Sequence, residues 1–315
     1  MDPLTHALVG LGVAALSGDE LSLASPLQLG AVLGALAPDI DIVFQLYGDV
    51  PYLTHHRGSS HSIIAVVGTS AIIAVGLWLI MGGSPLGEIF VWTLLGALSH
   101  ILLDLLNSYG AKILWPFSRK RYTLNLMVLA DPVIIILFTG VIFWPGMPDT
   151  IAKITFWLAL AYIIIRFYLR QRIYRMLWQR FRDRGAGKLV VMPAFISLWN
   201  WSFLIETEES FIVGEVRCFS LNPGIKKILA KCPPNELVKK AMKSKLGQVF
   251  QNFTPYYHIS HYLEEGRHVV RFCDLRYYFR EDFMHNATVI FDETQNIIDA
   301  VFQPYSKSRK IRIMG

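Results

Sequence analysis

The sequence predicts an α-helical membrane domain of about five to six helices, some of them interrupted, followed by a small α+β cytoplasmic domain. Three observations carry that expectation. Of the 315 residues 53% are hydrophobic and only 17% charged, with a mean hydropathy of +0.39, which is too apolar for a soluble chain of this length. The apolar residues run almost unbroken to about Leu169 and then give way to mixed, charged sequence through Gly315. The boundary between the two is basic: Arg166, Arg170, Arg172, Arg175, Arg180, Arg182, Arg184 and Lys188 face the single acid Asp183. By the positive-inside rule, this places the end of the last span and everything beyond it in the cytoplasm. The expected division is residues 1–170 for the membrane domain, 171–190 for a basic juxtamembrane linker and 191–315 for the soluble domain. The net charge of +6 follows from this topology and needs no nucleic acid to explain it.

The first apolar stretch, Leu4 to Leu16, is too short to span on its own, and carries His6 near its start. The preceding MDPLTHALVG lacks the basic flank and cleavage site of a secretory signal peptide, so it is expected to remain in the mature protein. Leu27 to Leu46 is long enough to span but holds Pro38, Asp39 and Asp41 near its end, where the proline should loosen the helix. Ser62 to Met81 and Glu88 to Leu106 are the clearest spans, joined by a turn through Gly82, Gly83, Ser84 and Pro85. Met127 to Trp144, with Asp131-Pro132 near its start, and Ile151 to Leu169 are predicted as two further spans.

Beyond Lys188, strands are predicted at Phe195 to Ile205, Phe211 to Phe219, His268 to Phe279, Ala287 to Phe291 and Ile297 to Phe302. A helix is predicted over Asn235 to Leu246, ending at Gly247. Cys218, Cys232 and Cys273 form an odd, unspaced set and are predicted to be free thiols. The histidines at 258, 261, 268 and 285 lack paired carboxylates at ligand spacing and are expected to be surface or core residues.

The polar residues of the apolar half need their own explanation. His55, His56, Arg57 and His61 precede a run of 20 uncharged residues, where a membrane helix enters the interface. Interfacial histidines bonded to headgroups are one account; ligands of a metal ion are the other. Alternation of the spans, anchored by the Arg119-Lys120-Arg121 loop and the basic boundary, places His6, Asp39, Asp41, His56, His61, His100, Asp104 and Asp131 at one depth on the cytoplasmic side. His100 and Asp104, four apart, share one helix face, as two ligands of one ion or as a helix-internal hydrogen bond. Asp39 and Asp41 can serve one site only if Pro38 distorts the helix there.

Mixed nitrogen and oxygen donors suit zinc, manganese or iron, and eight such residues exceed the needs of one tetrahedral ion, so one or two ions are expected. A two-metal centre commonly hydrolyses phosphate esters. Arg57 could bind a phosphate by its fork of donors, and Asp41 is assigned a catalytic role beside it; the basic loop could attract an anionic substrate or simply orient the helices. The chain is therefore read as an integral membrane hydrolase acting on a phosphoester or lipid-like substrate at the cytoplasmic interface. The alternative is a metal-binding transporter or sensor without catalysis. A transporter needs a path through both leaflets, and the outer halves of the spans hold no ionisable residue beyond Glu88 and Lys153 at their ends.

In combination, MDPLTH, APDID, HRGSSHS, GALSHILLD and a late ADP resemble the membrane-bound metal-dependent hydrolases of the YdjM type, an inner-membrane family of bacteria and archaea. The resemblance covers roughly residues 1–190. It implies hydrolase activity with His6, Asp39, Asp41, His56, His61, His100, Asp104 and Asp131 as metal ligands, and a cytoplasmic β-rich extension in longer members.

Overall fold

The computed structural model describes residues 1–47, 58–143, 147–279, 281–304 and 310–313. The chain forms two compact units, one made of Met1–Leu46 and the described residues from Gly58 to Tyr168, the other made of Tyr47 and the described residues from Leu169 onwards.

In the first unit α1 spans Pro3–Ala15, with Asp2 as its N-cap accepting from the Thr5 amide and Pro3 at the first helical position. The second helix, α2, spans Pro26–Leu36 and tightens into a 3-10 helix over Ala37–Tyr47. This is the distortion expected at Pro38, and it lets Asp39 and Asp41 approach the same histidine. A short 3-10 turn, Ser59–His61, leads into α3, Ile63–Met81, which Ser62 caps through the Ala65 amide. Leu86–Leu106 forms α4, Pro132–Ile142 α5 and Pro148–Phe181 α6. Among the described residues, four helical stretches are long and apolar enough to cross a membrane: Pro26–Phe44, Ile63–Met81, Leu86–Leu106 and Pro148–Arg184.

One expected span is corrected. Only Pro132–Ile142 of Met127 to Trp144 is helical among the described residues, and its 11 residues reach about 17 Å, roughly half the hydrocarbon thickness. Asp131 caps the helix through the amides of Val133 and Ile134, and Pro132 sets its first turn, so the helix cannot extend backwards. Residues before it are held instead by the end of α4: the amides of Leu126 and Met127 both donate to the Leu106 carbonyl.

Glycine brings α2 and α4 together. A Cβ on Gly34 would stand 2.0 Å from the Thr93 carbonyl oxygen, and one on Gly96 would stand 1.9 Å from that of Ala31. Lipid tails are as apolar as the helices, so close backbone approach through small residues holds such a pair together. Gly10 extends the seam to α1, where an added Cβ would lie 2.6 Å from the Ala35 Cβ.

In the second unit, the basic segment after Leu169 is helical through Phe181. Four antiparallel strands follow in the order β1 (Lys188–Pro193), β2 (Asn200–Glu206), β3 (Ser210–Arg217) and β4 (Pro223–Ala230). One face buries Trp201, Phe203 and Ile205 with Ile173, Leu177 and Phe181 of α6, and the other buries Val190, Met192 and Leu204 with Cys273, Leu275 and Phe283. The helices α7 (Glu236–Lys243) and α8 (Lys245–Phe253) cover a second sheet. It contains β5 (Tyr257–Glu264), β6 (Arg267–Asp274), β9 (Asn286–Phe291), β10 (Ile297–Gln303) and β11 (Ile311–Arg312), in the spatial order β11-β10-β9-β6-β5, with β7 (Tyr278–Phe279) and β8 (Asp282–Phe283) forming a small separate hairpin.

Three sequence expectations differ here. Residues Phe195 to Trp199 are loop rather than strand; β1, β4, β5, β8 and β11 add to the predicted strands; and the predicted helix breaks at Ser244, with Gly247 inside α8. Gly247 is required by proximity, because a Cβ there would lie 2.1 Å from the Ala241 carbonyl oxygen.

Candidate metal centre

The cluster is built from three helices and one turn. His100 and Asp104 lie on α4, His6 on α1, Asp39 and Asp41 on the 3-10 segment after α2, and His61 on the turn before α3. All but Asp39 are buried. His100 Nδ1 sits 2.7 Å from the Ala35 carbonyl oxygen, so it carries the proton and donates, leaving the Nε2 lone pair directed into the cluster. On the other ring, the Ser60 hydroxyl lies 3.1 Å from Asp41 Oδ2 and 3.0 Å from His61 Nδ1. With the hydroxyl donating to the carboxylate, its oxygen accepts from His61 Nδ1–H, and the His61 Nε2 lone pair also faces inward.

The two Nε2 atoms are 3.2 Å apart. Asp39 Oδ1 lies 3.5 Å from that of His61 and 3.6 Å from that of His100; Asp104 Oδ2 lies 3.3 and 3.8 Å from the same two atoms. With His61 neutral and its Nδ1 protonated, two nitrogen lone pairs and two carboxylate oxygens converge, an arrangement that a positive charge relieves, whether a proton on His61 Nε2 or a metal ion. Ligands of a tetrahedral zinc ion with bonds near 2.0–2.1 Å stand about 3.3 Å from one another, so these separations fit a first-row divalent ion. The donor set fits as well. Burial acts to lower the pKa of His61, but its contacts with Asp104 and Asp39 outweigh burial and hold it above the ordinary value.

His6 extends the cluster. Its ring stacks on His100 at 3.6 Å and 12°, and its Nε2 lies 3.5 Å from Asp104 Oδ1. His6, Asp39 and His100 form one group of ligand atoms and His61, His100 and Asp104 another, sharing His100. The Met1 amino group contacts His6 Nε2 at 2.7 Å and Asp104 Oδ1. Asn107 Nδ2 donates to that carboxylate oxygen at 3.1 Å.

Of the predicted site residues, the structure brings His6, Asp39, His61, His100 and Asp104 together. Asp41 reaches the same histidine at its other nitrogen, with Oδ2 3.7 Å from Nδ1. Asp131 lies in neither ligand group; its carboxylate caps α5 and accepts from the Tyr162 hydroxyl at 3.0 and 3.2 Å. Its proline-linked capping role competes with ligation for the same oxygens. His55, His56 and Arg57 lie outside the described residues. Ser60, Asn107 and the Ala35 carbonyl are participants that the sequence reading missed. The serine of GSSHS and the asparagine three residues after Asp104 carried a signal; a backbone carbonyl carries none.

Beside the cluster, the Ile63 amide donates to the Ile113 carbonyl at 3.1 Å, which places the loop after α4 next to the His61 turn. Burial, and then the charges of Arg121 and Arg119, push the amine of Lys112 below its ordinary pKa. The loop is a concentrated positive charge.

Residues 1–173 match the family described as YdjM inner membrane protein, and residues 236–312 match the YfhP C-terminal alpha/beta plait domain. The chain is 30% identical over 288 residues to a Bacillus subtilis (strain 168) protein named YfhP, covering 88% of this chain and 87% of that one. It is 33% identical over 109 residues to inner membrane protein YdjM of Escherichia coli (strain K12), covering 31% of this chain and 53% of that protein. No solved structure matches the chain.

Proposed function

The chain belongs to the YdjM inner membrane protein family, and we propose that it is an integral membrane metal-dependent hydrolase acting on a phosphoester or lipid-like substrate at the cytoplasmic interface. The observation that supports this reading is the convergence of His61 Nε2, His100 Nε2, Asp39 Oδ1 and Asp104 Oδ2 on one buried point. These four residues would hold a divalent zinc, manganese or iron ion, and His6 would complete that site or begin a second. Such an ion supplies Lewis acidity to a phosphoryl oxygen.

The chain's own groups have separate tasks. The Ala35 carbonyl and the Ser60–Asp41 pair fix the two imidazoles with their lone pairs inward, as outer partners of ligating histidines do. Asn107 holds the Asp104 carboxylate from its far side. Lys112, Arg119 and Arg121 would draw an anionic headgroup or phosphate towards the His61 turn, and Arg57 would grip it.

The test uses the full-length protein in lipid nanodiscs. It should carry transition metal by elemental analysis and hydrolyse members of a panel of phosphomonoesters and phosphodiesters; chelation should remove both properties, and zinc, manganese or iron should restore both. Retained metal with no turnover on any member of the panel would overturn the hydrolase reading and leave a metal-binding transporter or sensor.

A further inference from the structure

We propose that the loop carrying Ile196 and Trp199, together with Phe219, rests in the headgroup region of an anionic membrane leaflet and seats the second unit on the bilayer. The argument begins with the direction of β1. Beyond Leu169 the helix α6 lies along the first sheet, packing Ile173, Leu177 and Phe181 against Trp201, Phe203 and Ile205. After Phe181 the chain turns through Arg182–Arg184 and re-enters at Lys188. Arg170 Nε donates to the Val191 carbonyl at 3.1 Å. The strand therefore retraces the helix, from its C-terminal end back to the level of Arg170, one residue after the apolar run stops. Continuing in that direction, Pro193 and the loop after it lie at the Arg170 end of the helical segment that packs on this sheet.

Antiparallel pairing carries two more residues to the same edge. Pro193 pairs with Trp201, and Asn200 pairs with Arg217, so the β1–β2 loop and the end of β3 share one end of the sheet. Ile196 is 69% exposed, Trp199 58% and Phe219 77%, and the rings of the last two lie 5.3 Å apart. Arg217 beside them is exposed, as are Arg172 and Arg175 in the first turns of α6 past Leu169. Aromatic rings flanked by arginines suit the headgroup layer, where the ring meets acyl chain and the guanidinium meets phosphate. The occupant is lipid rather than a second protein, because the apolar run of α6 stops one residue before Arg170 and the arginines that follow complement an anionic leaflet.

The test places a nitroxide at Phe219→Cys in the full-length chain, with Cys232→Ser removing the partly exposed thiol and the buried Cys218 and Cys273 left in place. A control label goes at Glu208→Cys, exposed in the β2–β3 turn at the opposite end of the sheet. In nanodiscs of phosphatidylcholine and phosphatidylglycerol, the ratio of oxygen to aqueous nickel accessibility at 219 should exceed that at 208 by about threefold or more, as expected of a side chain in the acyl-headgroup boundary. Equal ratios at the two positions would overturn the proposal, and would be the result if the patch instead received a protein. An independent measurement leaves Phe219 intact: lipids brominated near the headgroup should quench part of the tryptophan emission, and Trp199→Phe should remove a share of that quenching. Unchanged quenching in this variant would also overturn it.

Discussion

His100 and Ala35 lie on different helices, yet a hydrogen bond of 2.7 Å joins the imidazole Nδ1 of one to the backbone carbonyl of the other. The bond exists because glycines at 34 and 96 let α2 and α4 approach closely. It decides which nitrogen of His100 faces Asp39 and Asp104. Helix packing and ligand chemistry are thus one feature, and the first two predictions separate its halves.

His61→Ala, His100→Ala and Asp104→Ala should each lower bound metal and abolish phosphoester turnover. Asp41→Asn and Ser60→Ala remove outer partners of His61 only, and should weaken metal affinity by about 10–100-fold while turnover returns at saturating metal. Equilibrium dialysis with elemental analysis checks the order. Equal, unrecoverable losses in both sets would contradict these assignments.

Gly96→Ala should destabilise the first unit by at least about 1–3 kcal/mol, since the methyl meets backbone rather than a movable side chain. It should also lower metal content without altering any ligand. Thermal denaturation in nanodiscs gives the first quantity and elemental analysis the second. Gly76→Ala, where an added Cβ meets nothing within 4 Å, is the control.

A cysteine at Ser59 should react with an impermeant maleimide only from the cytoplasmic side, and one at Ser84 only from the opposite side. Reversed labelling would invert the proposed orientation and place the second unit outside.

Thiol reactivity should follow burial. Cys232 is partly exposed, whereas Cys218 and Cys273 are buried, and burial pushes the Cys273 thiol up to about 12. Iodoacetamide at pH 8 should modify Cys232 in the native protein and reach the other two only on unfolding, as read by peptide mass spectrometry.

His285 supplies a pH dependence. Burial lowers its pKa to about 4, with the opposing Asp274 and the reinforcing Arg276 as smaller influences. The unfolded chain takes up a proton near pH 6.5 that the folded one refuses, so this stability is complete above pH 6.5 and declines as pH falls towards 4, by about 3 kcal/mol in total. Tryptophan-monitored denaturation of the full-length protein between pH 7 and 4 should show the decline, and His285→Leu should flatten it.

The long spans were legible because Ser62 to Met81 and Glu88 to Leu106 hold little besides apolar side chains. The shortening of Met127 to Trp144 was harder to read: Leu126, Met127 and Val128 are as apolar as a span, but they are buried in a loop pinned to Leu106. In the second unit, β4 escaped notice because Lys226 and Lys227 sit on an exposed edge strand, where charge deters further pairing and masks alternation. The pairing of His100 with Asp104 was written in their spacing. The role of Asp131 was not, since a carboxylate before proline reads equally as ligand and as cap.

The order of the candidate ligands along the chain is also an order in time. His6, Asp39, His61, His100 and Asp104 leave the ribosome in that sequence, and none of the two ligand groups is complete before His100 has been made. An ion that binds there draws α1, the end of α2, the turn before α3 and α4 to one point only after all four have been synthesised. Its binding free energy would therefore act on the assembled bundle and leave each helix to enter the bilayer on its own hydrophobicity. The residues from Leu169 onwards, still unmade at that moment, would begin folding only after that set of candidate ligands is whole.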